Sequence, residues 1–298
     1  MVIDEFLEQG KPKHLLLKYV GLPSSSYYYT STGTKAGKRP ANYVYDNEGS
    51  SHDLKYVTEK ISELLAGEFV DYGYYKTYRY LNDELGLNIG SYRTYNLMKE
   101  NGLLKFQRDK KKRSNRNWVK ELVPNVASEF SFLEFDIKYV YIQGTRTNTQ
   151  VLTVIDVYSR WVLGQYIANS IKSEDVIKLF EELFKNYPLP EQFIVRNDNG
   201  SQFEALIVQD FLKNKGVIQE FTKPATPEQN AHIESYHSIM ESAVCQRFEF
   251  QNLQDFQETM VRWKKFYNFE RIHGGLKYKS PKKFLESIGV SIDPKWNN

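Results

Sequence analysis

The chain has 298 residues, 41% hydrophobic and 26% charged, a globular composition long enough for a full core and one or two smaller domains. No stretch approaches the roughly 18 apolar residues of a membrane span. Charge interrupts the first residues where a secretory signal would be apolar, so a cytoplasmic protein without a membrane partner is expected. Its one cysteine, Cys245, excludes an internal disulfide and any zinc site with more than one thiolate, and the histidines show neither HxxxH nor HExxH spacing.

The net charge of +3 is unevenly spread. Residues 101–120 carry eight Lys/Arg against one Asp, residues 121–260 sum to −9, and residues 261–280 return to +5. An acidic middle between basic arms suits carboxylates that hold metal ions and separate cations that hold a phosphate backbone. Solvated basic loops and helix faces are the plainer account.

Residues 2–20 read as a short helix with apolar Phe6, Leu15, Leu16 and Leu17. Gly21 and Pro23 then turn the chain into a second helix start, a helix-turn-helix order. Residues 30–52, rich in Gly, Ser, Thr and Asn, read as a linker, so 1–50 is expected to be one segment. Over 53–104 the spacing predicts helices at 53–66, 73–85 and 91–101, parted at Gly67, Gly86 and Gly90, with Ser91 as N-cap of the last. That last helix carries Arg93 and Lys99 with Tyr92 and Tyr95, side chains suited to phosphates and bases. A DNA-binding module is expected there, with a helical spacer as the alternative. Residues 105–120 form a basic connector whose Lys110, Lys111, Lys112, Arg113 and Arg116 suit phosphate.

From residue 128 the pattern changes to strands. FSFLEFDIKYVYI, QVLTVIDVYSR and WVLGQYIAN are three β-type segments joined by short turns. A helix at 173–187, a strand at 192–196, a helix at 201–214, a strand at 217–221 and a long helix from 228 come next. The fold class expected is α/β: a ribonuclease H-like mixed sheet over 121–250, preceded by a helical helix-turn-helix-like region. A helix around 253–268 and a basic tail make up 251–298.

Asp136 interrupts the apolar first strand, which is costly unless the acid is paired or binds metal. Asp198 follows the fourth strand in VRNDNGSQF, where Gly200 permits a sharp turn and Ser201 can cap the next helix. Glu234 lies near the start of the long helix. Each alone suits a structural or solvated role. Together, in a ribonuclease H-like sheet, first strand, fourth-strand end and later helix converge. Carboxylates there supply the oxygen-rich coordination that two divalent ions need for an in-line phosphoryl displacement. Glu134 faces the same side as Asp136 and reads as a packed acid or a partner of the site. Asp156 reads as a partner of Arg160 or of its own turn.

Sixty-one residues separate Asp136 from Asp198, and 35 separate Asp198 from Glu234. The contexts EFDIKYV, DVYSR, RNDNGSQF, PEQNAHIES and FYNFERIHGGLKYKSP resemble the DDE-type, OrfB-type insertion-sequence transposases with a retroviral-integrase-like core. The upstream string YGYYKTYRYLNDELGLNIGSYRTYNLMKENGLL resembles that family's helical module. The resemblance implies that Asp136, Asp198 and Glu234 are catalytic ligands of Mg²⁺ or Mn²⁺. Asn199 and Gly200 would shape the second-aspartate turn, with Asn230 nearby. It implies cleavage that frees a 3′-hydroxyl, strand transfer into target DNA, and a homo-oligomer on transposon ends. An upstream-frame protein or fusion partner is also implied. Glu241 departs from the family, which often has a basic residue seven positions after the glutamate, and leaves His237 and Arg247 as substitutes for DNA contact. His273, in the family-like tail, reads equally as structural or DNA-facing. The alternative functions are a regulator or inhibitor of transposition with a silent core, and a non-joining nuclease.

Overall fold

The computed structural model describes residues 2–30, 42–105, 126–223 and 227–297. The chain divides into two units, Met1–Asn42 and Tyr43–Asn298. In the first, α1 (Val2–Glu8), α2 (Lys13–Val20) and α3 (Ser24–Tyr27) succeed one another. Gly21 closes α2 in the left-handed conformation at φ 67°, and the Tyr27 hydroxyl donates to Asp4 at 2.8 Å. The expected 2–20 helix is thus broken, and the helix after the turn is a single turn of four residues, too short for a recognition helix.

The second unit begins earlier than the linker reading places it. Tyr43–Tyr45 (β1) and Ser51–Asp53 (β2) pair as a hairpin, so residues 43–50 belong to the helical module rather than to the 1–50 segment. The overlooked signal is Tyr-Val-Tyr before Asp46-Asn-Glu-Gly49. Asp46 accepts the amides of Glu48 and Ser50 and closes the turn. Helices α4 (Leu54–Leu65), α5 (Tyr74–Asp83) and α6 (Ser91–Glu100) complete the module. Val57, Ile61, Leu81, Leu97 and Met98 bury a shared core under Val44 of the hairpin. Asp53 caps α4 by accepting the Tyr56 amide at 2.7 Å, whereas α6 is capped by Gly90, not Ser91.

The central sheet contains β3 (Phe132–Ile142), β4 (Thr147–Asp156), β5 (Val162–Ala168), β6 (Phe193–Asn197) and β7 (Val217–Phe221) in the order β5-β4-β3-β6-β7. The first three pair antiparallel; β6 and β7 run parallel to β3 and to each other. This is the ribonuclease H-like arrangement that the element order predicts. Helices α7 (Ser173–Asn186), α8 (Ser201–Glu204), α9 (Leu206–Asn214), α10 (Ala231–Met240), α11 (Leu253–Phe269) and α12 (Pro281–Ser287) complete the unit. The expected 201–214 helix breaks at Ala205.

Alternation along β3 sorts its side chains between two cores. Leu133 and Phe135 pack with α7 and α9; Val140 and Ile142 pack with α10 and α11. The helix expected around 253–268 is α11, and the stretch expected after it as a basic tail packs into the fold through Leu285 and Trp296. Phe256, Met260 and Trp263 of α11 belong to the second core, and Trp296 packs beside Phe130 and Trp161 in the first. Phe69 sits 5.5 Å from Trp263, and Arg271 pairs with Asp71 at 2.9 Å, fastening the helical module to the sheet domain. Gly144 serves close approach, since a Cβ there would stand 2.1 Å from the Gln251 carbonyl oxygen. No helix among the described residues is long and apolar enough to cross a membrane.

Candidate active site

The register of the sheet places the two aspartates. In the parallel β3–β6 pair, Phe132 faces Ile194, Leu133 faces Val195 and Glu134 faces Arg196. Two residues further along each chain stand Asp136 and Asp198, at neighbouring positions about 5 Å apart in strand spacing. Asp136 lies within β3, opposite Thr153 of β4, and Asp198 is the first residue past β6. Partial desolvation and the negative charge of Asp136 raise the Asp198 pKa above the ordinary value, while the Gly200 amide, donating to Oδ1 at 3.0 Å, opposes the rise.

The turn after β6 is held from several sides. Asn197 is fully buried, donates to the Asp198 carbonyl at 2.6 Å and accepts from Gln219 of β7. Asn199 is exposed and donates to the Thr222 carbonyl. Gly200 is needed for space rather than for a sharp turn. Its φ is −65°, which any residue adopts, but a Cβ would meet Asp198 Oδ1 at 3.1 Å and the Phe203 ring at 3.3 Å. Ser201 does not cap; Gly200 occupies the N-cap position.

Glu234 arrives on α10, and the even-numbered face of β3 fixes that helix in three steps. Glu134 is fully buried and accepts the backbone amides of His232 and Ile233 at 2.9 and 2.8 Å, with His232 Nδ1 at 2.9 Å from its other oxygen. A carboxylate at a helix N-terminus satisfies amides that no helical carbonyl can reach. Next, Asp136 stands 3.5 Å from His237 Nδ1. Lys138 then pairs with Glu241 at 3.0 Å. Every second strand residue thus meets every fourth helix residue. Glu241, where a basic residue is common in the family, faces a cation supplied by the strand. His237 is buried, which disfavours it as the DNA contact expected there, whereas Arg247 is exposed and donates to the Val70 carbonyl at 3.1 Å.

Glu234 itself projects from the exposed side of α10, next to buried Ile233. Asn230 is buried immediately before the helix with its Oδ1 lacking a partner. Among the described residues no three His, Cys, Asp or Glu side chains are close enough together to hold a metal ion. The two aspartates are therefore brought together, and Glu234 is carried on the neighbouring helix without completing a cluster. The donor chemistry fits a hard divalent cation: carboxylate oxygens, one of them made harder to ionise by the other's charge.

Of the residues expected to meet DNA, Arg93 is half-buried and donates to the Tyr43 carbonyl at 3.2 Å, and Lys99 is exposed near the end of α6. Lys110, Lys111, Lys112, Arg113 and Arg116 lie outside the described residues. Asp156 is a turn partner, its carbonyl accepting the Arg160 amide at 2.9 Å. It accepts from the Phe130 amide and from both the amide and hydroxyl of Ser159. Arg196, to which the sequence alone assigns no role, links the Glu220 carboxylate of β7 to the Gln229 carbonyl ahead of α10. The alternating Glu134, Asp136 and Lys138 in an apolar strand were the legible sign of a polar face.

Comparison with known proteins agrees with this architecture. Two profiles described as integrase core domain match residues 127–227 and 215–281, and one described as HTH-like domain matches residues 52–112. The transposase for insertion sequence element IS904 of Lactococcus lactis is 29% identical over 50% of this chain and 58% of its own length. The chain thus spans little more than half of that relative. The putative transposase InsK for insertion sequence element IS150 of Escherichia coli is 25% identical over 94% of this chain and 95% of its own. The HTLV-2 integrase catalytic core domain in complex with magnesium covers 52% of this chain and 96% of its own, at 12% identity and a TM-score of 0.40. The chain thus carries an integrase core domain behind an HTH-like domain and is similar along nearly its whole length to a putative insertion-sequence transposase.

Proposed function

We propose that this chain is a DDE transposase that cleaves the ends of an insertion sequence and joins the freed 3′-hydroxyl to target DNA. The observation that carries the reading is the β3–β6 register, which sets Asp136 and Asp198 side by side beside the helix bearing Glu234. Asp136, Asp198 and Glu234 would hold Mg²⁺ or Mn²⁺, which when bound activates the attacking oxygen and steadies the leaving one. The chain's own residues prepare that site. Glu134 holds the start of α10, and the Gly200 amide orients Asp198. Lys138 is held by Glu241 two residues along the strand from Asp136. Asn199 and Asn230 are proposed to shape the site rather than to hold the ion.

DNA is the proposed partner of the helical module, through Arg93 and Lys99 and through the basic stretch of Lys110, Lys111, Lys112, Arg113 and Arg116. The active form is proposed to be a homo-oligomer that pairs two ends in the cytoplasm, with an upstream-frame protein or fusion as a further partner. The domain division offered is a 1–42 segment, a helical module to residue 104, a basic connector over 105–120, and a catalytic domain that includes the C-terminal helices.

The test is a labelled donor end incubated with supercoiled target in Mg²⁺ or Mn²⁺. Joined product that disappears in Asp198→Asn supports the proposal. Cleavage without joining would assign a nuclease, and DNA binding without either reaction a regulator.

A further inference from the structure

A second polar cavity opens behind α10, on ground that the two aspartates do not share. It measures about 210 Å³, and its lining includes Lys76 of α5, Arg160 of the turn after β4, His232 and Ser235 of α10, and Arg271 and His273 of the segment after α11. Lys76 lies over the Tyr72 ring and Arg160 donates to the Val157 carbonyl, and neither is ion-paired with a carboxylate among the described residues. Arg271 spends one guanidinium nitrogen on Asp71 at 2.9 Å, yet its Nε is buried with no partner. His273 Nε2 is likewise buried without a partner, at 7% exposure of the residue. The nearby acids do not cancel these charges, because Asp71 is engaged by Arg271 and Glu134 by His232 and the α10 amides.

Like charges withdrawn from water, with Arg271 Nε and His273 Nε2 still unpartnered, are costly unless an anion joins them. Burial, with Arg271 beside it, pushes Lys76 down to about 7, and burial with the same cations pushes His273 well below its ordinary value. Arg160 also keeps a left-handed backbone at φ 62°, an unfavourable conformation for a long side chain that is retained where the surroundings require it.

We infer that this cavity is a phosphate-binding site and that its occupant is a backbone phosphate of the DNA strand led to Glu234. Ser235 adjoins Glu234, so a phosphate seated against Ser235, Arg160 and Lys76 fixes the strand one residue from that acid. The cavity's affinity for phosphate stands independently of the strand-transfer reading; only the DNA source rests on it.

The test uses the full chain. Inorganic phosphate, compared with chloride at equal ionic strength, is expected to raise the melting temperature, and Lys76→Met and Arg160→Gln are expected to abolish the rise. Lys76→Met removes a charge that folding must desolvate, so it should fold even if Arg160→Gln does not. With a labelled duplex, each variant should weaken binding and flatten the dependence of log affinity on log salt by about one unit, the loss of one phosphate contact. No phosphate effect in the unaltered chain, or an effect undiminished in Lys76→Met, overturns the site. A lost phosphate effect with an unchanged duplex slope overturns the DNA source. Both readouts are binding, so a failed joining assay leaves them interpretable.

Discussion

The acids at the centre of this molecule are held in two different ways. Asp136 and Asp198 are set by backbone pairing, one inside β3 and one immediately past β6, so sheet register alone fixes their spacing. Glu234 is set by a helix whose place depends on side chains, chiefly the buried Glu134 under its first turn. Ladder hydrogen bonds are shared among many residues, whereas a buried carboxylate is a single support. Positions on the strands should therefore tolerate remote changes that the helix-borne acid does not.

The largest expected effect comes from the pair on the sheet. Asp136→Asn and Asp198→Asn should each reduce joining to background while leaving duplex binding and the melting temperature near those of the unaltered chain. A variant that still joins DNA would remove that residue from the ligand set. Glu134→Gln sharpens the comparison because it touches no proposed ligand. It should lose about 10- to 100-fold in joining, as for residues that orient metal ligands. It should also lose about 3 kcal/mol of stability from the broken buried network, read from the denaturant midpoint. Full activity in Glu134→Gln would show that α10 is placed by packing instead.

A smaller effect is expected at the far end of the same face. Glu241→Lys sets two cations against each other and should lower stability by about 1 kcal/mol or less, as for partly exposed pairs. The double exchange Lys138→Glu with Glu241→Lys should recover it. Failure to recover would mean that the pair's orientation beside Asp136 matters more than its charge balance.

A pH-dependent effect concerns Asp156, an acid in the sheet with a purely structural use. Burial pushes its pKa up to about 6 from 3.8, against the opposing hydrogen bonds from Ser159 and Phe130. The folded state therefore binds this proton more tightly than the unfolded chain does. The contribution to stability is fully present below pH 3.8 and is lost as pH rises through about 6. Asp156→Asn should flatten the stability profile over that window. An unchanged profile, measured by denaturant midpoints, would place the titration elsewhere.

Much of the core was legible because strands announce themselves by alternation, with Asp136 an acid inside an apolar strand, Asp198 just past a strand and Glu234 in the first turn of a helix. Asp198 could be placed after its strand because Asn-Asp-Asn-Gly cannot continue one. The hairpin at 43–53 was hidden by strands of only three residues, the second of them the polar Ser-His-Asp. The return of Trp296 into the first core was hidden for the opposite reason: nothing local to a tryptophan near the end of a basic stretch says which distant rings it meets. Gly200 was legible as a constrained glycine, but the constraint is the nearness of a side chain, which no dihedral preference reveals. Glu134 shared a face with Asp136 in the sequence; the helix it anchors lies almost a hundred residues away.

The three contacts between β3 and α10 behave like a vernier. Two strand residues advance about 6.6 Å and four helix residues about 6.0 Å, so the two scales drift apart by roughly 0.6 Å at each graduation. Over the marks at Glu134, Asp136 and Lys138 that drift is small enough for side chains to absorb. Beyond Glu241 the helix changes winding, becoming a π-turn over Glu241–Cys245. Two such scales coincide over only a short interval, and the proposed active site occupies it.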